Sequence, residues 1–298
     1  MHYMAPVVLV TGASSGLGLA IARQLMQRDY RLVLTARSSS LPRFARAGIR
    51  ESEKVRLRAL DVINPEQRRR VVEETDRDWG GVDVLINNAG VSYRSVVEHV
   101  TDADRLAQME VNFRAPMELT RLVLPRMRKK CGGRVLNISS VGGMMAMPTM
   151  SAYSASKFAL EGATESLWYE VKPWGIKVAL IEPGFINSDG FEHVRFTQLS
   201  QEAHDTLNSA YYWHYHHMEG FIGKVMRRVR ATPESVARTV VKTIERRSPP
   251  LRVAGTFDAR VFSIMRRILP RRLYHFILYR SLPNVRTWGP NRPKLPEG

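Results

Sequence analysis

Residues 6–18 read Pro-Val-Val-Leu-Val-Thr-Gly-Ala-Ser-Ser-Gly-Leu-Gly. The apolar run that ends at Val10 suits a short buried strand, and the amphipathic stretch from Leu17 to Arg28 reads as a helix. Between them lie glycines 12, 16 and 18. A strand that feeds a helix through glycines lets backbone N–H groups approach a pyrophosphate, and the helix N-terminus adds a favourable dipole. Gly12, Ser14, Ser15, Gly16, Leu17 and Gly18 are therefore candidate phosphate-binding residues. The turn lacks the Gly-Lys-Ser/Thr ending of a nucleoside-triphosphate loop.

The same alternation continues outward from this turn. Arg31–Ala36, Val55–Leu60, Val82–Ile86, Arg134–Ser139 and Ile176–Ile181 read as strands. Pro65–Trp79, a long stretch from about Asp104 to Lys130, and Ser151–Lys172 read as helices. Strands alternating with helices predict an α/β fold, a doubly wound Rossmann-type parallel sheet covered on both faces. Leu251–Ala254 would add a last strand, for about seven in all. The expected organisation is one domain over residues 1–255, with an aromatic, His-rich segment at 185–230. Pro233–Arg247 returns as a helix with Thr232 as its N-cap. Residues 256–298 form a basic, helical C-terminal extension, broken at Pro270 and loose beyond Pro283.

Composition narrows the class. The chain has 298 residues, 44% hydrophobic and 24% charged, which excludes a disordered or fibrous protein. One cysteine, Cys131, excludes a disulfide framework and a Cys-based zinc or iron–sulfur site. His214 and His217 stand at helical spacing, but no acidic partner is placed to complete a site, so no metal is expected. No run approaches the ~18 apolar residues of a spanning helix, and no basic segment precedes the first strand as in a signal peptide. A cytoplasmic protein is expected. The net charge of +17 is uneven: 18 Lys and Arg against 4 Asp and Glu from Lys224 onward, but 27 against 24 before it. A basic surface attracts anionic lipid, nucleic acid or an acidic partner.

The chemistry-bearing residues fall at the ends of the strands. The second strand runs into Ala36-Arg37, where a NAD-binding turn usually has an acidic residue; an arginine can instead pair with a 2′-phosphate. Asp61-Val62 follows the third strand and Asn88-Ala89-Gly90 the fourth. Tyr153 and Lys157 share one helical face at i,i+4, and an ammonium near a phenol lowers its pKa. Ser139 and Ser140 end the fifth strand, where a hydroxyl can hold a substrate oxygen, and Asn112 lies inside the long helix.

Thr11–Gly18, Asn87–Gly90, Ser140, Tyr153-x-x-x-Lys157 and Pro183-Gly184 stand in the order that resembles the short-chain dehydrogenase/reductase family. The glycine spacing resembles its short, non-extended type. The resemblance implies roles. Tyr153 is the acid/base, Lys157 lowers its pKa and holds the nicotinamide ribose, and Ser140 rather than Ser139 polarises the substrate oxygen. Asn112 kinks its helix and anchors a proton relay. In Pro183-Gly-Phe-Ile-Asn-Ser188, Pro183, Gly184 and Ile186 line the nicotinamide, and Ser188 stands where the family usually has Thr. The implied reaction is hydride transfer between the nicotinamide C4 and a carbonyl carbon, with NADP(H) preferred over NAD(H) because of Arg37.

Ser140–Pro148 and Tyr153–Gly162 resemble the 17β-hydroxysteroid and retinol dehydrogenase branch, which implies a hydrophobic ketone, aldehyde or alcohol such as a lipid, retinoid, steroid or polyketide. Met144, Met145 and Met147 either line an adaptable apolar pocket or pack in an ordinary core. Tyr211–His217 falls where the family carries its variable lid, and the family is commonly a dimer or tetramer. Within 258–280, Phe262, Met265, Ile268 and Leu269 are expected to form one apolar face opposite arginines. That face would either touch a membrane surface or cover the domain or a subunit interface. Nucleic acid is not expected, since no base-reading motif is visible. The competing reading is a non-catalytic dinucleotide-binding protein that docks through its basic C-terminal region; the intact Ser140, Tyr153 and Lys157 set argues against it.

Overall fold

The computed structural model describes residues 5–187 and 195–289. Parallel strands form a seven-stranded sheet: β1 (Val7–Val10), β2 (Arg31–Ala36), β3 (Val55–Ala59), β4 (Val84–Asn87), β6 (Gly133–Ile138), β7 (Ile176–Glu182) and β9 (Arg252–Ala254). A separate short pair joins β5 (Tyr93–Arg94) to β8 (Arg195–Phe196). The main sheet runs β3-β2-β1-β4-β6-β7-β9. The chain therefore winds outward from β1 to β3, then returns to the other side of β1 at β4. The crevice between β1 and β4, beyond their carboxyl ends, is where such a sheet binds ligands.

Both faces of the sheet are covered. Along β1, Val8 and Val10 join one core while Val7 and Leu9 join the other, as the two-residue period of a strand requires. The first core packs α1 (Gly16–Met26) and α9 (Pro233–Glu245) on the sheet. The α9 stripe of Val236, Ala237, Val240, Val241 and Ile244 is fully buried there, and each of its larger side chains contributes about 1.5–3 kcal/mol. Its start is a capping box between Thr232 and Ser235, with Pro233 in the first turn. The second core packs α3 (Pro65–Trp79), α5 (Ala115–Lys129) and α6 (Ser151–Val171) on the opposite face.

The long helix expected from about residue 104 starts at α4 (Asp102–Met109), capped by Thr101, and is interrupted by a π turn over Glu110–Arg114 before α5. The segment after β7 carries α7 (Gln198–Asp205) and α8 (Tyr212–Arg228). Two further helices, α10 (Phe257–Ile268) and α11 (Arg271–Ser281), follow β9 and are separated at Pro270. Their inward residues Phe262, Met265, Leu269, Tyr274 and Leu278 close a third core on Val141, Met144 and Met145. No helix among the described residues is long and apolar enough to cross a membrane.

Candidate active site

The glycine turn lies at the β1/β4 crevice and is built by backbone contacts. Gly12 and Gly16 have φ of +64° and +50°, in the left-handed region that suits glycine. A Cβ on Gly12 would lie 3.0 Å from Ala89, and one on Gly18 would collide with the Gly12 carbonyl and with Asn88. Asn88 explains why these parts fit: its side-chain amide donates to the carbonyls of Thr11 at 2.9 Å and Gly12 at 3.2 Å. In return the Thr11 hydroxyl accepts from the backbone N–H of Asn88 and Ala89. The loop after β4 thus staples the loop after β1.

Helix α1 begins with Ser15 as N-cap, but no side chain caps its first turn and no acidic residue lies in that turn. Its free N–H groups suit an anion. A cleft of about 450 Å3 continues from this turn. Gly12, Ser14, Ser15, Leu17 and Gly18 line it at one side, with Arg37, Asp61, Val62, Asn88, Ala89 and Gly90 around it. Gly16 is the first residue of α1. The close backbone approach, the uncapped helix start and the glycines that admit no Cβ fit a dinucleotide.

Residues that the sequence reading did not single out also line this cleft. Ser40 and Arg43 stand beside Arg37, and Arg195 of β8 also lines the cleft. Arg43 follows Pro42, which starts a short helix, α2 (Pro42–Arg46), after the turn at Ser38–Ser40. The Arg37-Ser-Ser-Ser-Leu-Pro-Arg43 pattern carried that signal: a turn followed by a Pro-started helix keeps both arginines near the strand end.

Asn112 and Lys157 both stand against Gly90 of the cleft lining. Asn112 is buried inside the π turn. Its amide donates to the Val91 carbonyl at 2.8 Å and to the Ser156 hydroxyl at 3.0 Å, while Oδ1 accepts from Val91 N–H at 2.9 Å. The kink thus ties the α4–α5 helix to both the β4 loop and α6. A Cβ on Gly90 would lie 3.2 Å from Asn112 Oδ1 and 3.8 Å from Lys157 Nζ, so these two side chains converge on a glycine.

Lys157 Nζ donates to the Ile138 carbonyl at 2.9 Å and lies 5.9 Å from the centre of the Tyr153 ring. Burial brings its pKa down to about 8, against a smaller opposing effect of Glu161. The Tyr153 ring rests on Gly142, where a Cβ would come within 3.0 Å of it. Burial raises the Tyr153 pKa, and its hydrogen bond with Ser140 opposes that only in part. The Tyr/Lys spacing predicts a lowered phenol pKa; the direction is instead upward, because burial penalises the charged phenolate. Ser140 Oγ accepts from Gly142 N–H at 3.0 Å and caps the short turn Val141–Gly143. The two serines part company here: Ser139 Oγ donates to the buried Glu161 at 2.6 Å and is committed to that contact.

Pro183 and Gly184 are held from an unexpected quarter. The Gly184 N–H donates to the Thr256 hydroxyl at 2.8 Å and the Phe185 N–H to Asp258 at 2.9 Å. A Cβ on Gly184 would collide with the Asp258 carboxylate, and one on Gly255 would lie 3.1 Å from Pro183. Thus the first turn of α10 clamps this loop, about 72 residues away in sequence; no spacing rule could have found it. Ile186 packs on the first core. Ser188 lies outside the described residues, as do 189–194 of the expected lid.

The aromatic segment is largely packed. Tyr215 is fully buried and its hydroxyl meets Val96 N–H at 3.1 Å and His99 at 2.9 Å. His217 is hydrogen-bonded to Thr287 and His214 lies against Trp288. Among the described residues no three His, Cys, Asp or Glu side chains gather as a metal site would require. Met144 and Met145 are buried under α10 and α11.

A protein-family model described as short chain dehydrogenase matches residues 6–198. The 3-ketodihydrosphingosine reductase of Bacteroides thetaiotaomicron is 33% identical over 273 residues, which cover 91% of this chain and 96% of that protein. Among solved structures, a short-chain dehydrogenase from Streptomyces avermitilis is 30% identical with a TM-score of 0.75, covering 94% of this chain and 98% of its own. A short-chain dehydrogenase from Burkholderia cenocepacia in complex with NADP shares the fold, with a TM-score of 0.69 at 22% identity over 93% and 99% of the two chains.

Proposed function

The chain belongs to the short-chain dehydrogenase family and is an NAD(P)-dependent oxidoreductase, and from this we propose that it is an NADP(H)-dependent reductase of a hydrophobic ketone or aldehyde. One observation carries the reading: a single cleft runs from the glycine turn, past Arg37 and Arg43, to Gly90, where Asn112 and Lys157 converge. The glycine turn and the start of α1 would hold the pyrophosphate. Arg37, with Ser40 and Arg43 beside it, would pair with a 2′-phosphate. Lys157 and Asn88-Ala89-Gly90 would hold the ribose side, and Pro183, Gly184, Ile186 and Ser188 the nicotinamide. When bound, the reduced nicotinamide supplies the hydride to the carbonyl carbon.

The chain's own residues manage the proton. Ser140 donates a hydrogen bond to the carbonyl oxygen and fixes it against Tyr153. Tyr153 transfers its phenolic proton to that oxygen as the alkoxide forms. Its raised pKa keeps the phenol protonated at neutral pH, which suits the reductive direction. The Lys157 ammonium stabilises the phenolate left behind, and a pKa of about 8 leaves it mostly charged at neutral pH. Asn112 holds the helix kink that brings α6 and the β4 loop together.

The hydrophobic substrate class rests on the resemblance of 140–162 and is in keeping with a relative named 3-ketodihydrosphingosine reductase. We read the protein as a cytoplasmic homo-oligomer; the exposed Leu106 on α4 and Tyr169 on α6 offer apolar surface on the long helices. The test is NADPH oxidation against steroid ketones, retinal, long-chain aldehydes, β-ketoacyl thioesters and 3-ketodihydrosphingosine, with NADPH and NADH affinities measured beside it. Turnover with NADPH preference is expected, and Arg37→Asp should weaken NADPH binding by at least about tenfold while sparing NADH. Equal losses for both cofactors would remove Arg37 from the phosphate site. Tight NADPH binding without turnover on any of these would favour the non-catalytic reading.

A further inference from the structure

Helices α10 and α11 each carry two apolar faces, and only one of each is used. On α10 the inward face is Ala259, Phe262, Met265 and Leu269. The expected single face that included Ile268 is therefore corrected: Ile268 is 71% exposed and belongs to a second stripe with Phe257, Val261 and Ile264. These four follow at i, i+4, i+7 and i+11, which on a 3.6-residue helix is one narrow line. Phe257, at 81%, is almost fully in solvent. On α11, Tyr274 and Leu278 turn inward while Leu273, Phe276 and Tyr279 are exposed. Water-facing phenylalanine and isoleucine in line are what a soluble helix avoids.

The charges beside these stripes are of one sign. Arg260, Arg266, Arg267, Arg271, Arg272 and Arg280 are all exposed. None forms an ion pair among the described residues; Arg266 and Arg280 lie instead over the rings of Phe158 and Phe276. The single carboxylate of the two helices, Asp258, is spent on the Phe185 N–H. Between α11 and the Met144–Ala146 loop runs a groove of about 530 Å3, with Met144, Met145 and Leu269 in its lining and Arg266, Arg271 and His275 around them. Apolar lining under cations again suits an anionic amphiphile.

We propose that the outward faces of α10 and α11 dock the protein on an anionic lipid bilayer. The apolar stripes enter the headgroup boundary, and the exposed arginines beside them, Arg260 and Arg267 among them, meet the lipid phosphates and carboxylates. Charge decides the occupant. A second copy would bring its own arginines against these, which opposes self-association through this face. A neutral protein surface would satisfy the stripes but leave the arginines unpaired. An anionic bilayer satisfies both, with an apolar boundary and a negative surface potential. Docking through α10 also brings the membrane to the helix whose first turn clamps the Pro183–Phe185 loop.

The test is co-flotation of the full chain with phosphatidylcholine vesicles and with the same vesicles containing about one third phosphatidylserine. Binding to the anionic vesicles only, reduced at high salt, is expected. Ile264→Ser with Ile268→Ser should reduce that binding by at least tenfold, on the order of the burial lost. Arg267→Gln with Arg272→Gln, which leaves the stripes intact, should weaken it on the order of thirtyfold. Circular dichroism melting keeps folded variants apart from failed ones, and the arginine pair gives a second reading if the isoleucine pair does not fold. Equal binding to both vesicle types, no binding to either, or variants that float as the parent does would overturn the proposal. So would a change of oligomer size in the variants with flotation unchanged, which would make the face a subunit contact. The assay reads no turnover, so a failure of the reductase reading leaves it intact, and the reverse holds too.

Discussion

The part of the chain up to Glu182 and the part from Arg195 to Gly289 solve opposite problems. The first has 26 Lys and Arg against 19 Asp and Glu, and its cleft is made by backbone: glycines that admit no Cβ, an asparagine stapling two loops, and a helix start left uncapped. The second supplies one short strand to the main sheet and is otherwise mostly helical; its last two helices are basic and leave apolar side chains in solvent. Backbone-built sites admit few residue types, so they fix where a cofactor and a proton go. Side-chain-built surfaces admit many, so they are free to set what the enzyme meets. If the division is sound, changes in the first part abolish chemistry, and changes in the second move substrate, surface or cofactor loop without touching the proton.

The largest effect follows from Tyr153. Tyr153→Phe keeps the ring on Gly142 and removes only the hydroxyl, so folding and dinucleotide affinity should be unchanged. Turnover should fall on the order of 10²–10⁴-fold. Stopped-flow measurement of cofactor oxidation beside a binding titration separates the two. Turnover at the parent rate would take the acid role from Tyr153 and erase the contrast between the two parts at its strongest point.

An intermediate effect belongs to Asp258, which sits in the second part but acts on the first. Asp258→Ala removes the acceptor for Phe185 N–H at 2.9 Å and frees the loop that α10 clamps. A hydrogen bond to a charged group is worth about 1.5–3 kcal/mol, of which a partly exposed site keeps a fraction. Cofactor affinity should weaken about three- to tenfold, with vesicle flotation unchanged. Unchanged cofactor affinity would mean that the two parts are independent at this contact.

The same contrast governs what could be read from sequence. The parallel sheet, its strands and the glycine turn were legible because alternation, glycine and Tyr-x-x-x-Lys spacing are local patterns with few structural solutions. Even the Thr232 cap and the break at Pro270 were local. The Thr256 and Asp258 clamp, the Ser139–Glu161 contact and Arg195 in the cleft were not legible, since each joins segments distant in sequence. The wrong face assigned to Ile268 has a similar origin. The sequence shows that α10 is apolar on more than one side, but only the packing of Met144 and Met145 tells which side is taken.

The smallest effect lies on the seam between the parts. Arg252 of β9 is bonded to Glu161 and Glu165 of α6 and to Glu182 at the end of β7. Glu182 is buried, and desolvation together with Glu161 pushes its pKa up to about 7 against the pull of Arg252. Unfolded, the carboxyl titrates near its ordinary value of 4.5. Between these values the folded chain binds more protons than the unfolded one, so the stability this group contributes is full below about pH 4.5 and is lost as pH rises through about 7. The slope is on the order of 1 kcal/mol per pH unit at most. Glu182→Gln cannot titrate, so the difference in melting temperature between variant and parent should drift in the variant's favour from pH 5 to pH 7 and then level, a window set by the shift of Glu182 from 4.5 to about 7. Parallel curves would mean that Arg252 holds Glu182 ionised throughout, and that the seam is a permanent ion cluster which fastens β9 to α6 at every pH.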